Sequence, residues 1–401
     1  MALYDPARHE PLRDIPWDAG RARAAIQRIV ADAEARFAED RYWPAHPNDG
    51  DGPGPDYPLY MGACGVMWAL HYLQSVGAVD LRRSYLPFVE PLVPEIAKWL
   101  GDSYGLHRAS YLMGDTSVWM LSHALEPSPA KAERIGALID ANIDHPAREM
   151  LWGSPGTMLA AALMHEHDGD ARWREAFRRN ARHLESRLLW SPEYECDYWT
   201  QDMYGQTSSY TDAVHGFVAT ASVLIRGRQL LEPQEWQRWQ ERIANTISRT
   251  ATREGPLANW RAWLYPAWQA GRPMLVQHCH GSPGFVTCLG DFPDASLDEL
   301  LAAGGELTWV AGPLAKGANL CHGTAGNGYA FLKLYRRTGD SRWLDRARAF
   351  AMHAISQSQS DEKQFGRMRY SLWTGDPGLA IYLWDCIHER AQFPSLDRFF
   401  A

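Results

Sequence analysis

Hydrophobic residues recur along this chain in short runs that each follow a glycine. Seven glycines lead such runs, at intervals of 39 to 65 residues: Gly62, Gly114, Gly153, Gly216, Gly281, Gly323 and Gly375. In five repeats a second glycine follows three residues later, as in Gly-Ser-Pro-Gly at 153–156 and 281–284. Each run is apolar on nearly all sides, which is typical of a buried helix. The pattern therefore predicts seven buried helices that begin at equivalent points of an internal repeat.

Charged segments with apolar residues at helical spacing lie between these runs, for example at 21–40, 170–189, 233–253 and 340–359. This spacing predicts amphipathic helices, and little of the chain reads as strand. We expect an all-α (α/α) toroid in which seven outer helices surround seven inner ones. We expect one domain over 1–401, with an N-terminal helical segment at about 1–57 leading into the first repeat. A two-domain all-α protein is the alternative.

Glycine at the leading positions allows the preceding loop to turn with positive φ and allows neighbouring backbones to approach closely. Pro155, Pro283 and Pro377 suit the first turn of a helix, where a missing N–H costs nothing. All inner helices would then begin at one face and present free N–H groups there. Loops 43–57 and 255–277 are candidates for walls or lids over that face, and the second carries Trp260, Trp263 and Trp268.

Composition and net charge argue against several classes of function. A net charge of -8 over 401 residues offers no basic surface for nucleic acid or anionic membranes. No apolar run approaches the length of about 18 residues that a membrane span needs. The six cysteines are far apart and the N-terminus lacks an apolar signal-peptide core, which indicates a reduced, cytoplasmic protein.

The tripeptide Cys-His-Gly occurs twice, at 279–281 and 321–323, in equivalent places of successive repeats. Equivalent positions of neighbouring repeats face each other across a toroid, so two thiolates and an imidazole can converge. Two cysteines, one histidine and an open position form a catalytic zinc arrangement. The sequence therefore predicts a metal site at the face where the inner helices begin.

The segments VQHCHGSPG and KGANLCHGTAGNGYAFLKLY closely resemble the two zinc-binding signatures of the lanthionine synthetase C-like family. The second signature is nearer to the glutathione-binding, eukaryotic-type branch than to the lantibiotic cyclases. The resemblance implies the same toroid of seven inner and seven outer helices. It also implies zinc ligands at Cys279, Cys321 and His322.

The chemistry implied by this resemblance is zinc-assisted activation of a thiol. The thiolate adds to the β-carbon of dehydroalanine or dehydrobutyrine in a peptide or protein and forms a thioether. The thiol is a peptide cysteine in the cyclases and glutathione in the branch that this chain resembles more closely. The enolate formed by the attack needs a proton from a positioned acid.

The family pattern suggests roles for further residues. His215 falls on the family's His-Gly position and is the candidate general acid, although Ala219 stands where the family has a second glycine. Glu149 is a candidate base or substrate-steering carboxylate, and His280 a hydrogen-bond donor near the metal or a proton carrier. Lys316 is the candidate for binding a glutathione carboxylate. Arg367 and Arg369 are candidates for binding a carboxylate or phosphate of the thiol co-substrate bidentately, with surface charge as the alternative. His278 replaces a tryptophan that is common in the family before the first cysteine.

Two other functional classes compete with this interpretation. The same toroid serves glycosidases and sugar epimerases, which would use paired carboxylates such as Glu149, Asp197, Asp202 and Asp212. Such enzymes have no use for two Cys-His-Gly copies. A non-catalytic zinc- or glutathione-binding protein is the other alternative, against which the open coordination position argues.

Overall fold

In a computed structural model, residues 2–49, 54–265 and 273–400 are described. The predicted inner helices all form. They are α2 (Ala63–Ser75), α5 (Thr116–Leu125), α7 (Ser154–Asp168), α9 (Phe217–Arg226), α11 (Ser282–Leu289), α13 (Thr324–Thr338) and α15 (Asp376–His388). Each begins one or two residues after its leading glycine. Pro155, Pro283 and Pro377 lie in the first turns of their helices, as predicted.

The amphipathic segments form the outer layer. They comprise α1 (Ala19–Arg36), α3 (Leu92–Leu100) with the short α4 (Tyr104–His107), α6 (Pro129–Ala141), α8 (Ala171–Ser186), α10 (Pro233–Thr250), α12 (Asp298–Ala311) and α14 (Ser341–Phe365). Helix α1 packs against α15 and so covers the last repeat from outside. Each inner helix contacts the next, and α15 contacts α2, so the ring closes. The predicted (α/α) toroid is confirmed. The single-domain organisation over 1–401 stays a proposal, supported by a large apolar core whose residues run from Ala22 to Phe399.

Within the described residues, three short antiparallel hairpins interrupt the helical pattern, and the sequence did not predict them. They pair β1 (Leu189–Ser191) with β2 (Cys196–Tyr198), β3 (Gln201–Met203) with β4 (Gln206–Ser208), and β5 (Ala251–Glu254) with β6 (Leu257–Trp260). Strand β6 places Trp260 in the core, stacked on Phe285 with ring centroids 4.6 Å apart. Trp260 therefore does not wall the mouth of the ring, and Trp268 lies outside the described residues.

The glycines are required by close approach rather than by left-handed backbone. Among the seven leading glycines, only Gly281 has a positive φ, at 120°. At the second glycine of each pair, a Cβ would meet the carbonyl oxygen six residues earlier, at 2.4 Å for Gly156 and 1.8 Å for Gly326. The loop thus folds directly over the first turn of the inner helix, and any side chain would separate the two.

No helix within the described ranges is both long and apolar enough to cross a membrane.

We expect Gly156→Ala to lower the free energy of unfolding by roughly 2–4 kcal/mol, because the Met150 carbonyl and Tyr111 leave no room for a methyl group. Gly136→Ala, on the outer helix α6, is the matched control. There a Cβ would lie 3.8 Å from Trp173, so the substitution should stabilise the helix by up to about 1 kcal/mol. Urea unfolding of both variants measures the difference, and equal stability of the two would contradict the close-approach argument.

Candidate metal and thiol site

Hydrogen bonds connect the loops before the inner helices around the ring. Many of these hydrogen bonds are made by the backbone of the residue that stands two positions before each leading glycine. Cys279 N–H donates to Cys321 O at 2.9 Å, Cys321 N–H to Trp373 O at 2.8 Å, and Trp373 N–H to Tyr60 O at 3.0 Å. Tyr60 N–H donates to Leu112 O at 3.0 Å. Five successive repeats therefore present the same backbone position to the centre of the ring.

This register brings the predicted ligands together. The Sγ atoms of Cys279 and Cys321 and a ring nitrogen of His322 all lie within 4.8 Å of one another. Both cysteines are buried, whereas His322 is partly exposed. These atoms can reach a common ion at about 2.3 Å for sulfur and 2.0 Å for nitrogen with little movement. Two soft thiolates and one imidazole are the donors that zinc prefers, so the residues present fit that metal.

Other side chains support the two sulfur atoms. Tyr60 donates its hydroxyl to Cys321 Sγ, and Gln277 donates its amide to Cys279 Sγ. The pKa of the Cys321 thiol is held well below its usual range by a hydrogen bond from Cys279, and by His322 and Tyr60, against the opposing effect of burial. The surroundings of Cys321 therefore favour its thiolate form, the form in which a cysteine binds a metal.

The residue directly before the leading glycine faces the same centre in repeats four, five and six. It is His215, His280 and His322, respectively. His215 Nδ1 lies 2.8 Å from Glu149 Oε2, and His280 Nδ1 lies 2.7 Å from Asp212 Oδ2. Both carboxylate side chains are fully buried, whereas the imidazoles keep 17% and 20% exposure. Each ring thus offers its Nε2 atom to a ligand while Nδ1 is held by a carboxylate.

The carboxylates also shape the loops that carry them. Glu149 accepts from the N–H groups of Leu151 and Trp152, at 2.8 and 2.6 Å. Asp212 accepts in the same way from Val214 and His215, at 2.9 and 2.7 Å. Each carboxylate therefore fixes its own loop with its acceptor lone pairs and holds the histidine of the next repeat.

The two pairs differ in their electrostatics. Burial alone would lower the pKa of His215, but the hydrogen bond and charge of Glu149, with Asp212 and Cys321 nearby, raise it above its usual value. Burial would raise the pKa of Asp212, but His280 and His215 lower it. Asp212 is therefore a stable carboxylate that keeps the Nδ1 proton on His280.

Aromatic rings cover the two imidazoles. Tyr210 lies 5.3 Å from His215, and Trp263 stacks on His280 with centroids 5.5 Å apart. The rings of Tyr210 and Trp263 are 5.0 Å apart, so they form a continuous wall. The prediction that Trp263 walls the mouth of the ring agrees with this contact.

The remaining predicted residues are Lys316, Arg369 and His278, and each has different surroundings. The Lys316 side chain is exposed on a loop whose Gly317 carbonyl accepts from Thr324 N–H at the start of α13. Arg369 is largely enclosed, and its guanidinium is paired with Asp49 and the Asn48 carbonyl. His278 is fully buried and stacked on Phe393, which lowers its pKa to about 4 by desolvation. Carboxylate binding by Lys316 or Arg369 stays a prediction, and for Arg369 it requires sharing the guanidinium with Asp49.

Sequence reasoning missed three contributors to the site. It placed Asp212 only among candidate glycosidase carboxylates and assigned nothing to Tyr60 or Gln277. Their offsets contained the signal, because Asp212 and Gln277 stand four residues before a leading glycine, as Glu149 does. Tyr60 stands two residues before, as both metal-site cysteines do. Aligning the repeats by glycine would have identified all three.

The profile of the lanthionine synthetase C-like proteins matches residues 55–398. This chain belongs to that family. It is 37% identical over 131 residues to glutathione S-transferase LANCL1 of Danio rerio, covering 31% of this chain and 32% of the relative. It is 41% identical over 143 residues to LanC-like protein GCL1 of Arabidopsis thaliana, covering 33% of each chain. These alignments span about a third of either relative.

Nisin cyclase has a similar structure, with a TM-score of 0.57 at 13% identity. The superposition covers 92% of this chain and 98% of the cyclase. At this identity the likeness supports the fold alone, and it agrees with the toroid described above.

We expect the purified wild-type protein to hold about one zinc ion per chain, and Cys279→Ala to lose most of it because two donors no longer retain the ion. Cys64→Ala is the control, since Cys64 is equally buried but lies in the first inner helix. Metal content by mass spectrometry tests this, and retention of zinc by Cys279→Ala would exclude the proposed ligand set.

Proposed function

We propose that this protein is a zinc-dependent enzyme that adds a thiol to dehydroalanine or dehydrobutyrine residues and forms a thioether. The observation that carries the proposal is the Cys279–Cys321–His322 cluster on the same ring of loops as two imidazole–carboxylate pairs. Membership of the lanthionine synthetase C-like family supports thiol addition as the reaction class.

Cys279, Cys321 and His322 would hold a zinc ion with three protein donors, so the ion could take a thiol as a further ligand. When bound by Cys279, Cys321 and His322, zinc would hold the co-substrate thiol as a thiolate at neutral pH. Tyr60 and Gln277 donate to the two sulfur atoms and so moderate the negative charge that the protein donors bring. Burial of both cysteines keeps water away from the sulfur atoms.

His215 is the general acid of the proposal. In the addition, a C–S bond forms at the β-carbon and the double-bond electrons move to the α-carbon and its carbonyl, which then take up one proton. Because Glu149 raises the pKa of His215, the imidazolium persists at higher pH than a free histidine would. Glu149 therefore acts as the positioning residue that keeps His215 protonated and oriented.

His280 serves as a proton carrier or hydrogen-bond partner for the substrate. Asp212 accepts from Nδ1, so Nε2 is the ring atom left for a ligand. Trp263 stacks on the same ring and limits its rotation. The Asp212–His280 pair thus has the same arrangement as the Glu149–His215 pair, and His280 stands in the repeat that also supplies Cys279.

Glutathione is the proposed thiol, with a cysteine-bearing peptide as the second candidate. The Danio rerio relative is named a glutathione S-transferase, which favours glutathione. The cysteine-bearing peptide stays the second candidate because the fold is shared with nisin cyclase. Lys316 is exposed and offers a cation to a carboxylate at the rim. The protein acceptor is a dehydroamino-acid-containing peptide or protein, in a cytoplasmic setting.

The geometry favours thiol chemistry over sugar hydrolysis. Of the four carboxylates considered for a glycosidase, Asp202 pairs with Arg148 at 2.9 Å on a hairpin, and Asp197 lies on another. Glu149 and Asp212 remain at the centre, and each is bound to an imidazole and to backbone N–H groups. Neither is placed as a free acid or nucleophile.

Incubation with glutathione and a dehydroalanine peptide should yield the thioether in wild type, detected by mass spectrometry. Cys321→Ala should lower the rate at least about 100-fold because the thiol is no longer activated, whereas Cys64→Ala should not. Offering a cysteine peptide in place of glutathione distinguishes the two thiols. If zinc-loaded wild type forms no thioether with either thiol, the proposal fails.

The pH profile tests the general acid separately. Because the acid form of His215 is active, kcat/KM should fall as the pH rises through its elevated pKa. Glu149→Gln removes the neighbouring charge that raises the pKa of His215 and should shift this alkaline limb to lower pH. Glu175→Gln, on the exposed face of α8, should leave the limb in place, and an unmoved limb in Glu149→Gln would exclude His215 as the acid.

A further inference from the structure

A cluster of cationic side chains, separate from the metal ligands, lines a pocket between the end of α1, the loop that follows it and the loop before α15. Arg36, Arg41, His46 and Arg367 line this cavity of about 470 Å³. The other described lining residues are apolar or aromatic: Ala38, Tyr42, Trp43, Pro44, Ala45, Pro47 and Pro55. We call it the arginine pocket. Among its described lining residues, three guanidinium groups and no carboxylate stand out in a chain with a net charge of -8.

Two buried N–H groups in the arginine pocket have no acceptor within the described part of the chain. The His46 residue is 3% exposed, and its Nδ1 accepts from Asn48 N–H at 3.2 Å. Burial and the charges of Arg369 and Arg367 lower the pKa of His46, so the neutral ring carries its proton on Nε2. That Nε2 and the Nε of Arg367 are both enclosed without a partner. Leaving a buried donor without an acceptor costs free energy, and an oxyanion that accepts from it would recover that free energy.

The other charges near the pocket leave its arginines available. Arg36 lies 3.8 Å from Asp32 and Arg41 lies 3.5 Å from Asp40, and both arginines are more than half exposed. Such exposed ion pairs contribute little to stability, so each arginine can readily exchange its carboxylate for a more strongly bound anion. Arg369 is different, because it is enclosed and bound to Asp49. The neighbouring arginine is thus neutralised, whereas the arginines that line the pocket can accept an anion.

We propose that the arginine pocket binds a phosphomonoester group. A carboxylate has two oxygens, fewer than the three guanidiniums and one imidazole N–H can use. A phosphomonoester has three terminal oxygens and a charge near -2, and arginine binds it bidentately. The cavity is larger than a phosphate group needs, and Tyr42 and Trp43 offer aromatic surface to an organic part.

The pocket lies beside the ring of loops. Asp49, which binds Arg369, also accepts from the Thr374 hydroxyl at 3.3 Å. Thr374 directly precedes Gly375, so it occupies in repeat seven the position that His322 occupies in repeat six. A phosphorylated residue of a bound peptide would thus lie next to the mouth of the ring. Phosphomonoester binding goes beyond the proposed function and does not depend on thiol addition.

Isothermal titration calorimetry at low salt tests the proposal with three probes: inorganic phosphate, a pentapeptide with a central phosphoserine, and the same peptide with serine. We expect wild type to bind the phosphoserine peptide and not the serine peptide. Arg367→Gln should weaken binding at least about tenfold. Arg174→Gln, an exposed arginine on α8, removes the same charge elsewhere and should leave the affinity unchanged.

Several results would overturn the proposal. They are equal binding of the two peptides, no binding by wild type, or wild-type affinity in a folded Arg367→Gln. Inorganic phosphate binding as tightly as the phosphopeptide would contradict an organic ester as the ligand. If Arg367→Gln does not fold, Arg41→Gln replaces it, because that side chain is 79% exposed. An affinity reduced about threefold in Arg41→Gln supports the proposal, and an unchanged affinity contradicts it.

Discussion

The closed ring of hydrogen bonds between the loops before the inner helices is the constraint on which the site depends. From repeat five through repeats six, seven and one to repeat two, backbone N–H groups donate to the carbonyl of the next repeat. Ser110 Oγ then donates to the Trp152 carbonyl and joins repeats two and three. Between repeats three, four and five, the imidazole–carboxylate pairs make the connection. The two imidazole–carboxylate pairs are thus located where side chains replace backbone in the ring, whereas the metal cluster lies where backbone hydrogen bonds join repeats five and six.

This arrangement explains why one glycine register defines several functional positions. The residue two before the glycine faces the centre and supplies both cysteines and Tyr60. The residue one before supplies His215, His280 and His322. The residue four before supplies the groups that fix each loop, such as Glu149, Asp212 and Asn319, whose side-chain oxygen accepts from His322 N–H. Residues at the same offset from the leading glycine therefore occupy equivalent positions around the metal site.

The sequence predicted the toroid because glycine spacing and apolar runs are local signals that buried inner helices require. It predicted the metal cluster because Cys-His-Gly repeats at equivalent offsets. It did not predict the three hairpins, whose strands are only three or four residues long and carry no periodicity. The sequence also did not predict that Arg369 pairs with Asp49, because Asp49 is 320 residues away along the chain. Long-range ion pairs depend on the closure of the ring, which no local pattern encodes.

The central claim is that Cys279, Cys321 and His322 hold one zinc ion with a position open to a thiol. X-ray absorption at the zinc edge, with and without glutathione, tests it most directly. The account predicts two sulfur ligands in the free protein and three when glutathione is bound. A spectrum that glutathione leaves unchanged, with four protein ligands around the ion, would contradict it.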